Sequence, residues 1–150
     1  MIYIYTLSDG WCYLSSILDL HSRKIIAWRL SRQMETRLVI EILQDALSKL
    51  TVTDGLILHS DRGSQYTSKE YNDYLEHHCI QHSYSAKGCP YDNSCIESFH
   101  ATIKRSNVGY KDFQTCYDSI FKYIEGFYNS RRRHSKLNYL CPNEFEKQIA

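Results

Sequence analysis

Residues 2–6 and 11–20 concentrate Ile, Leu, Tyr and Trp in short runs of the kind that build strands. Between them, Ser8-Asp9-Gly10 offers an Asp-Gly pair suited to the positive-φ corner of a hairpin. A third strand is predicted over 24–30, after a turn at His21-Ser22-Arg23, so the chain opens with three antiparallel strands. The period then lengthens. Leu38, Val39, Ile42, Leu43, Ala46, Leu47 and Leu50 recur at helical spacing and form one apolar stripe. Leu56-Ile57-Leu58, after Asp54-Gly55, is a continuous apolar run, the pattern of a strand buried on both faces, and it ends at His59-Ser60-Asp61. A helix over 68–78 and a short strand near 80–84 come next, and 85–93, with Gly88 and Pro90, reads as a loop. Two helices close the chain. One spans 94–106 with Ile96, Phe99 and Ile103 on one face, and one starts near Thr115 and shows Tyr117, Ile120, Phe121, Ile124, Phe127 and Tyr128 at i, i+3, i+4, i+7 spacing. This order predicts an α/β domain with a mixed sheet.

Composition narrows the picture. A chain of 150 residues fits one domain, and 43% apolar residues with 2 prolines and 6 glycines exclude disorder and collagen-like repeats. The chain holds no apolar run long enough to span a bilayer, and Met1 to Thr6 lacks the pattern of a signal peptide, so a cytoplasmic protein without a membrane partner is expected. The six cysteines contain no CxxC pair and read as reduced thiols. His77, His78, Cys79 and His82 invite a zinc reading, but their spacing is irregular, and packed or solvated side chains are the alternative. The net charge of +1 hides a segregation, with the middle third acidic (−4) and the last third basic (+4). An acidic cluster suits a divalent metal and a basic segment suits phosphate.

Asp61 sits where a buried strand runs out into Arg62-Gly63-Ser64-Gln65-Tyr66, and ligands of α/β sheets bind just outside the carboxyl ends of strands. It can serve as a metal ligand or as a turn residue ahead of the next helix. Glu97 also has two readings. Ser94-Cys95-Ile96-Glu97 fits a capping box, whereas Glu97, His100, Ala101 and Lys104 share the helix face opposite Ile96, Phe99 and Ile103 and can meet a metal and a phosphate.

Four strings carry a family resemblance: His59 to Tyr66, Asp92-Asn93-Ser94-Cys95-Ile96-Glu97-Ser98-Phe99, Leu18 to Ile25, and Tyr128-Asn129 through Arg133-His134. Together they resemble the integrase-like catalytic core of bacterial insertion-sequence transposases, in particular the insertion sequence 3 family. Thirty-five residues separate Asp61 from Glu97, matching that family's D-35-E spacing. The resemblance covers essentially the whole chain. It implies a ribonuclease-H-like α/β fold, a mixed sheet flanked by helices, whose Asp, Asp and Glu bind Mg2+ (or Mn2+) and cut and join DNA. Two metals about 3.5–4 Å apart can activate a nucleophile and stabilise the leaving oxygen. Asp61 and Glu97 match the second and third acids as catalytic and metal-binding residues. Self-association on DNA is implied too.

The family's first acid lies in a Thr-Asp-Ile-Thr-Tyr-Ile-like string, and Met1 to Thr6 matches only the residues after that Asp. The expectation is a core lacking the upstream helix-turn-helix region and the start of the opening strand, with little or no activity as it stands. A non-catalytic remnant that binds nucleic acid or a transposase protomer is the other reading, and a ribonuclease H acting on hybrids is a third. Asp19 can replace the missing acid or be a strand-end turn residue, depending on strand register. By resemblance, Lys104 reaches DNA near the cleaved phosphate, Ser64 and Gln65 touch the DNA backbone or cap their loop, and Lys87 opens a mobile active-site loop. Arg131, Arg132 and Arg133, with His134 and Lys136, either contact phosphates or complement a helix end.

Overall fold

The computed structural model describes residues 1–50, 55–86, 90–106 and 109–149. Three strands form an antiparallel sheet in the order β1 (Ile2–Leu7), β2 (Gly10–Leu18), β3 (Ile25–Ser31). The first hairpin pairs Leu7 with Gly10 across Ser8-Asp9, and Gly10 takes φ 135°, a conformation closed to side chains with a Cβ. Two further strands, β4 (Ile57–Ser60) and β5 (Gln81–Tyr84), pair in parallel as a separate ladder from Ile57↔Gln81 to Ser60↔Tyr84. The expected mixed sheet is therefore present as an antiparallel and a parallel part. A groove of about 220 Å³ separates them, walled by 16–20 on the β2 side and 56–59 on the β4 side.

Six α-helices complete the described chain: α1 (Thr36–Leu47), α2 (Ser64–Thr67), α3 (Lys69–His77), α4 (Ser94–Ser106), α5 (Phe113–Tyr123) and α6 (Pro142–Ile149). They cover both faces of the strands. On one face, Phe99 and Ile103 of α4 and Cys116 and Ile120 of α5 pack on Tyr5, Leu7, Cys12, Leu14 and Ile25. Each fully buried Phe or Ile there stabilises the fold by about 1.5–3 kcal/mol, which fixes α4 against the sheet. On the other face, Val39 and Leu43 of α1 meet Tyr71 and Leu75 of α3 and Ile80, with Ile2 and Ile17 at the margin. No helix among the described residues is long and apolar enough to cross a membrane.

Four expectations change. The helix predicted over 68–78 forms as α3, but an unexpected short helix, α2, precedes it, and extended Ser68 separates the two and caps α3 by accepting the Tyr71 N–H. The β4 strand is not buried on both faces: Ile57 is 63% exposed, because the strand pairs on one side only and borders the groove. A third closing helix, α6, is present without having been expected, since it is short and buries only Pro142 among its residues. Pro142 at its first position is the signal the sequence offers. His100, assigned to the outward face of α4, is 1% exposed.

Candidate active site

Asp61 leaves β4 at the carboxyl end of the parallel ladder. Its Oδ1 accepts the Gly63 N–H at 2.8 Å, which turns the chain into α2 and holds the carboxylate half-buried, with Oδ2 uncommitted among the described residues. A Cβ at Gly63 would stand 3.0 Å from that Oδ1 and 3.4 Å from Gln65 Oε1, so glycine permits this close approach. Tyr66 is buried beside the carboxylate, and desolvation and the Asp61 charge both push its phenol upward. Ser64 is exposed at the first position of α2.

Glu97 lies in the first turn of α4, exposed and without a hydrogen bond or ion pair among the described residues. The capping box is not formed. A 3-10 turn, Pro90–Asn93, leads into α4, which starts at Ser94 itself. One turn on from Glu97, His100 stacks on Tyr3 of β1 (5.2 Å, 12°), and its Nε2 lies 3.0 Å from Ser16 Oγ. Lys104 places Nζ 5.5 Å from the centre of the same Tyr3 ring. The polar flank of α4 thus docks on the start of β1 through a Tyr3–His100–Lys104 stack, and this displaces His100 from solvent.

The start of β1 is the meeting point. The Met1 amino group donates to Ser16 O at 3.4 Å, burial lowers it to about 6, and the Asp61 carboxylate pulls it back up. The same ammonium acts on His100, whose imidazole is driven down to about 3 by desolvation first and by that charge second. Asp61 and the α4 segment bearing Glu97 therefore both lie near one point, the amino end of β1. The groove between the sheets also runs from His59 on β4 to Asn93 and Ile96 beside Glu97.

Other candidates fall elsewhere. Asp19 is a turn residue. Its carboxylate accepts the His21 and Ser22 N–H groups and the Ser22 hydroxyl, at 2.6–3.1 Å. Burial works against its ionisation, but these donors prevail and hold it below the usual carboxylate range. The three arginines separate. Arg131 is exposed, and Arg133 pairs with Glu144 at 2.5 Å. Arg132 turns inward, 3.3 Å from the Tyr123 hydroxyl and over the Tyr128 ring. Lys87 and Gly88 lie outside the described residues. Of the zinc candidates, His82 lies between Ser60 Oγ (2.9 Å) and Asn72 Oδ1 (3.2 Å) and His78 Nδ1 is 2.9 Å from Tyr74 O, whereas His77 and Cys79 are exposed.

The acid-bearing strand end and helix, set around the first strand of a helix-flanked sheet, can be compared with known proteins. The profile of the integrase core domain matches residues 2–90, and a second integrase core domain profile matches 78–142. The chain belongs to the integrase core domain family. This integrase core is 44% identical over 150 residues to the transposase for insertion sequence element IS904 of Lactococcus lactis, covering 98% of this chain and 59% of that protein. It is 41% identical over 143 residues to transposase InsF for insertion sequence IS3fB of Escherichia coli K12, covering 93% of this chain and 50% of that one. The chain thus spans between half and three-fifths of the length of these relatives.

Solved integrase cores share the fold. The HTLV-2 integrase catalytic core domain in complex with magnesium aligns with a TM-score of 0.71 at 14% identity, covering 97% of this chain and 91% of that one. The BIV integrase catalytic core domain aligns with a TM-score of 0.65 at 13% identity, covering 99% and 92%. Gly63 was legible as the turn after Asp61, and the structure adds that a side chain there would crowd the carboxylate.

Proposed function

We propose that the integrase core cuts and joins DNA in transposition, with Asp61 and Glu97 as the carboxylates that hold a divalent cation, Mg2+ or Mn2+. The observation that carries this reading is that Asp61 and the Glu97-bearing helix both lie near the amino end of β1. The donor set fits a hard cation. Asp61 keeps one oxygen beyond its bond to Gly63, Glu97 has no competing partner among the described residues, and magnesium takes one or two carboxylates and completes its shell with water and phosphate oxygens. When bound, the cation polarises the phosphodiester and lowers the pKa of the attacking water.

The chain's own residues supply position and charge. The Gly63 N–H fixes the Asp61 carboxylate, and the Tyr3–His100 stack fixes the turn of α4 after Glu97. Lys104, over Tyr3, offers an ammonium to a phosphate lying along α4, and Ser64 and Gln65 offer neutral hydrogen bonds at the start of α2. Two carboxylates support one cation, and self-association on DNA belongs to the same proposal.

Cation binding tests the site directly. Titration with Mn2+ is expected to show one saturable site that Asp61→Asn and Glu97→Gln each weaken at least tenfold, and undiminished binding in both variants would overturn the assignment. On labelled duplex, Mg2+-dependent nicking is expected to fall at least about a hundredfold in Glu97→Gln, the scale of losing one group that stabilises transition-state charge.

A further inference from the structure

On the other flank of α4 from Lys104 lies a cleft of about 220 Å³ with cationic walls. Arg23 enters it from the turn between β2 and β3, Arg132 and Lys136 from the segment after α5, and Ser94 and Ser98 from α4 itself. No carboxylate lines it among the described residues. This sets Arg23, Arg132 and Lys136 apart from Arg29, Arg32, Arg37 and Arg133, each of which pairs with an Asp or Glu at 2.5–2.9 Å. The two cleft arginines are instead held by neutral groups. Arg23, in the left-handed region at φ 60°, contacts Cys95 on α4, and Arg132 leans on the Tyr123 hydroxyl and the Tyr128 ring. Neutral partners orient a guanidinium without cancelling its charge. Desolvation, aided by the charges of Arg132 and Arg23, lowers His134, whose Nε2 is buried and unpartnered among the described residues, so the imidazole leaves the balance at three cations. Three cations from two distant segments, converging on one cavity with no acid, form a site complementary to an anion.

We propose that this cleft binds a backbone phosphate of the DNA strand held at Asp61 and Glu97, with Arg23, Arg132 and Lys136 as its charged ligands and Ser94 and Ser98 as neutral donors. The choice of a strand phosphate rests on the proposed function, because Ser98 adjoins Glu97 on α4 and one strand passing Glu97 can meet both flanks of the helix. Arg133, neutralised by Glu144, is excluded from the contact.

The test is the salt dependence of binding to a labelled duplex by the whole chain, compared with Arg23→Gln, Lys136→Gln and Arg133→Gln. Each cleft variant is expected to bind roughly five- to tenfold more weakly at low salt and to reduce the slope of log K against log salt by about 1, with Arg133→Gln within twofold of the parent. Lys136 is exposed, so its substitution keeps the test valid if Arg23→Gln fails to fold. Parent slopes in both cleft variants would overturn the proposal. Thermal melts with inorganic phosphate distinguish the source of the anion. Phosphate stabilisation that both cleft variants lose, without a change in DNA slope, would assign the cleft to a free anion and overturn the strand-phosphate reading. Loss of Mn2+ binding in Asp61→Asn bears only on the metal site, so the failures of the two proposals are separable.

Discussion

His100 shows how one side chain ties the site to the stability of the fold. Its folded-state value is driven down from 6.5 to about 3 by burial against Tyr3 and Ser16 and by the Met1 ammonium. An unfolded chain therefore binds a proton that the folded one refuses between those values. The contribution of the neutral ring is complete above about pH 6.5 and is lost as pH falls toward 3, at up to about 1.4 kcal/mol per pH unit. Denaturant melts at pH 7 and pH 5 are expected to show a smaller acid loss in His100→Gln than in the parent. The Met1 amine, lowered from 8.0 to about 6, acts in the same sense between those values, and His82 and His134 are also lowered. The difference between parent and variant isolates His100, and identical acid losses in the two proteins would contradict the assignment. The metal-site substitutions at Asp61 and Glu97 belong to this scale as well, because neither carboxylate takes part in the core.

At the scale of elements, one side chain fastens the segment after α5 to the sheet. Asn129 Oδ1 accepts the Ile25 N–H and its Nδ2 donates to Ile25 O, both at 3.0 Å and both buried, at the end of a π-helical turn (Ile124–Tyr128). The amide thus satisfies both backbone groups of the first residue of β3. Asn129→Ala leaves those groups unpaired, and a loss of about 2–4 kcal/mol is expected from the denaturation midpoint at unchanged m-value. A loss below about 0.5 kcal/mol would show that water replaces the amide. Nearby, Lys24 pairs with Glu146 at 2.6 Å and His21 packs on Phe145, so α6 braces the same β2–β3 turn that carries Arg23. The family-like string from Tyr128 to His134 therefore divides its labour. Asn129 builds the fold, Arg132 lines the cationic cleft, and Arg133 pairs with Glu144.

Across the whole molecule, the amino end of β1 is the point around which the site is arranged. Because the Met1 amine lies near Asp61 and near His100 of α4, a carboxylate joined ahead of Met1 tests whether this point belongs to the proposed metal site. A Thr-Asp extension of the chain is expected to tighten Mn2+ binding at least tenfold and to raise Mg2+-dependent nicking, measured beside a Thr-Asn extension of equal length. Equal behaviour of the two extensions would show that this position lies outside the metal site. The hydrophobic periodicity by itself determined the three opening strands, α1, α4 and α5, because a buried stripe must repeat with the period of its element. The strings and spacing around Asp61 and Glu97 marked both as candidates by resemblance, since strand-end carboxylates and helix faces are local features. The periodicity left α6 and the short α2 unread, where elements are short and bury little. Only tertiary structure decided that His100 is a core residue, that Asp19 is taken up by its own turn, that Arg133 is neutralised while Arg132 is not, and that Arg23 joins Lys136 across more than a hundred residues. Those outcomes depend on which surfaces meet, and the solvation and charge of a side chain are set by its neighbours in space rather than by its neighbours in the chain.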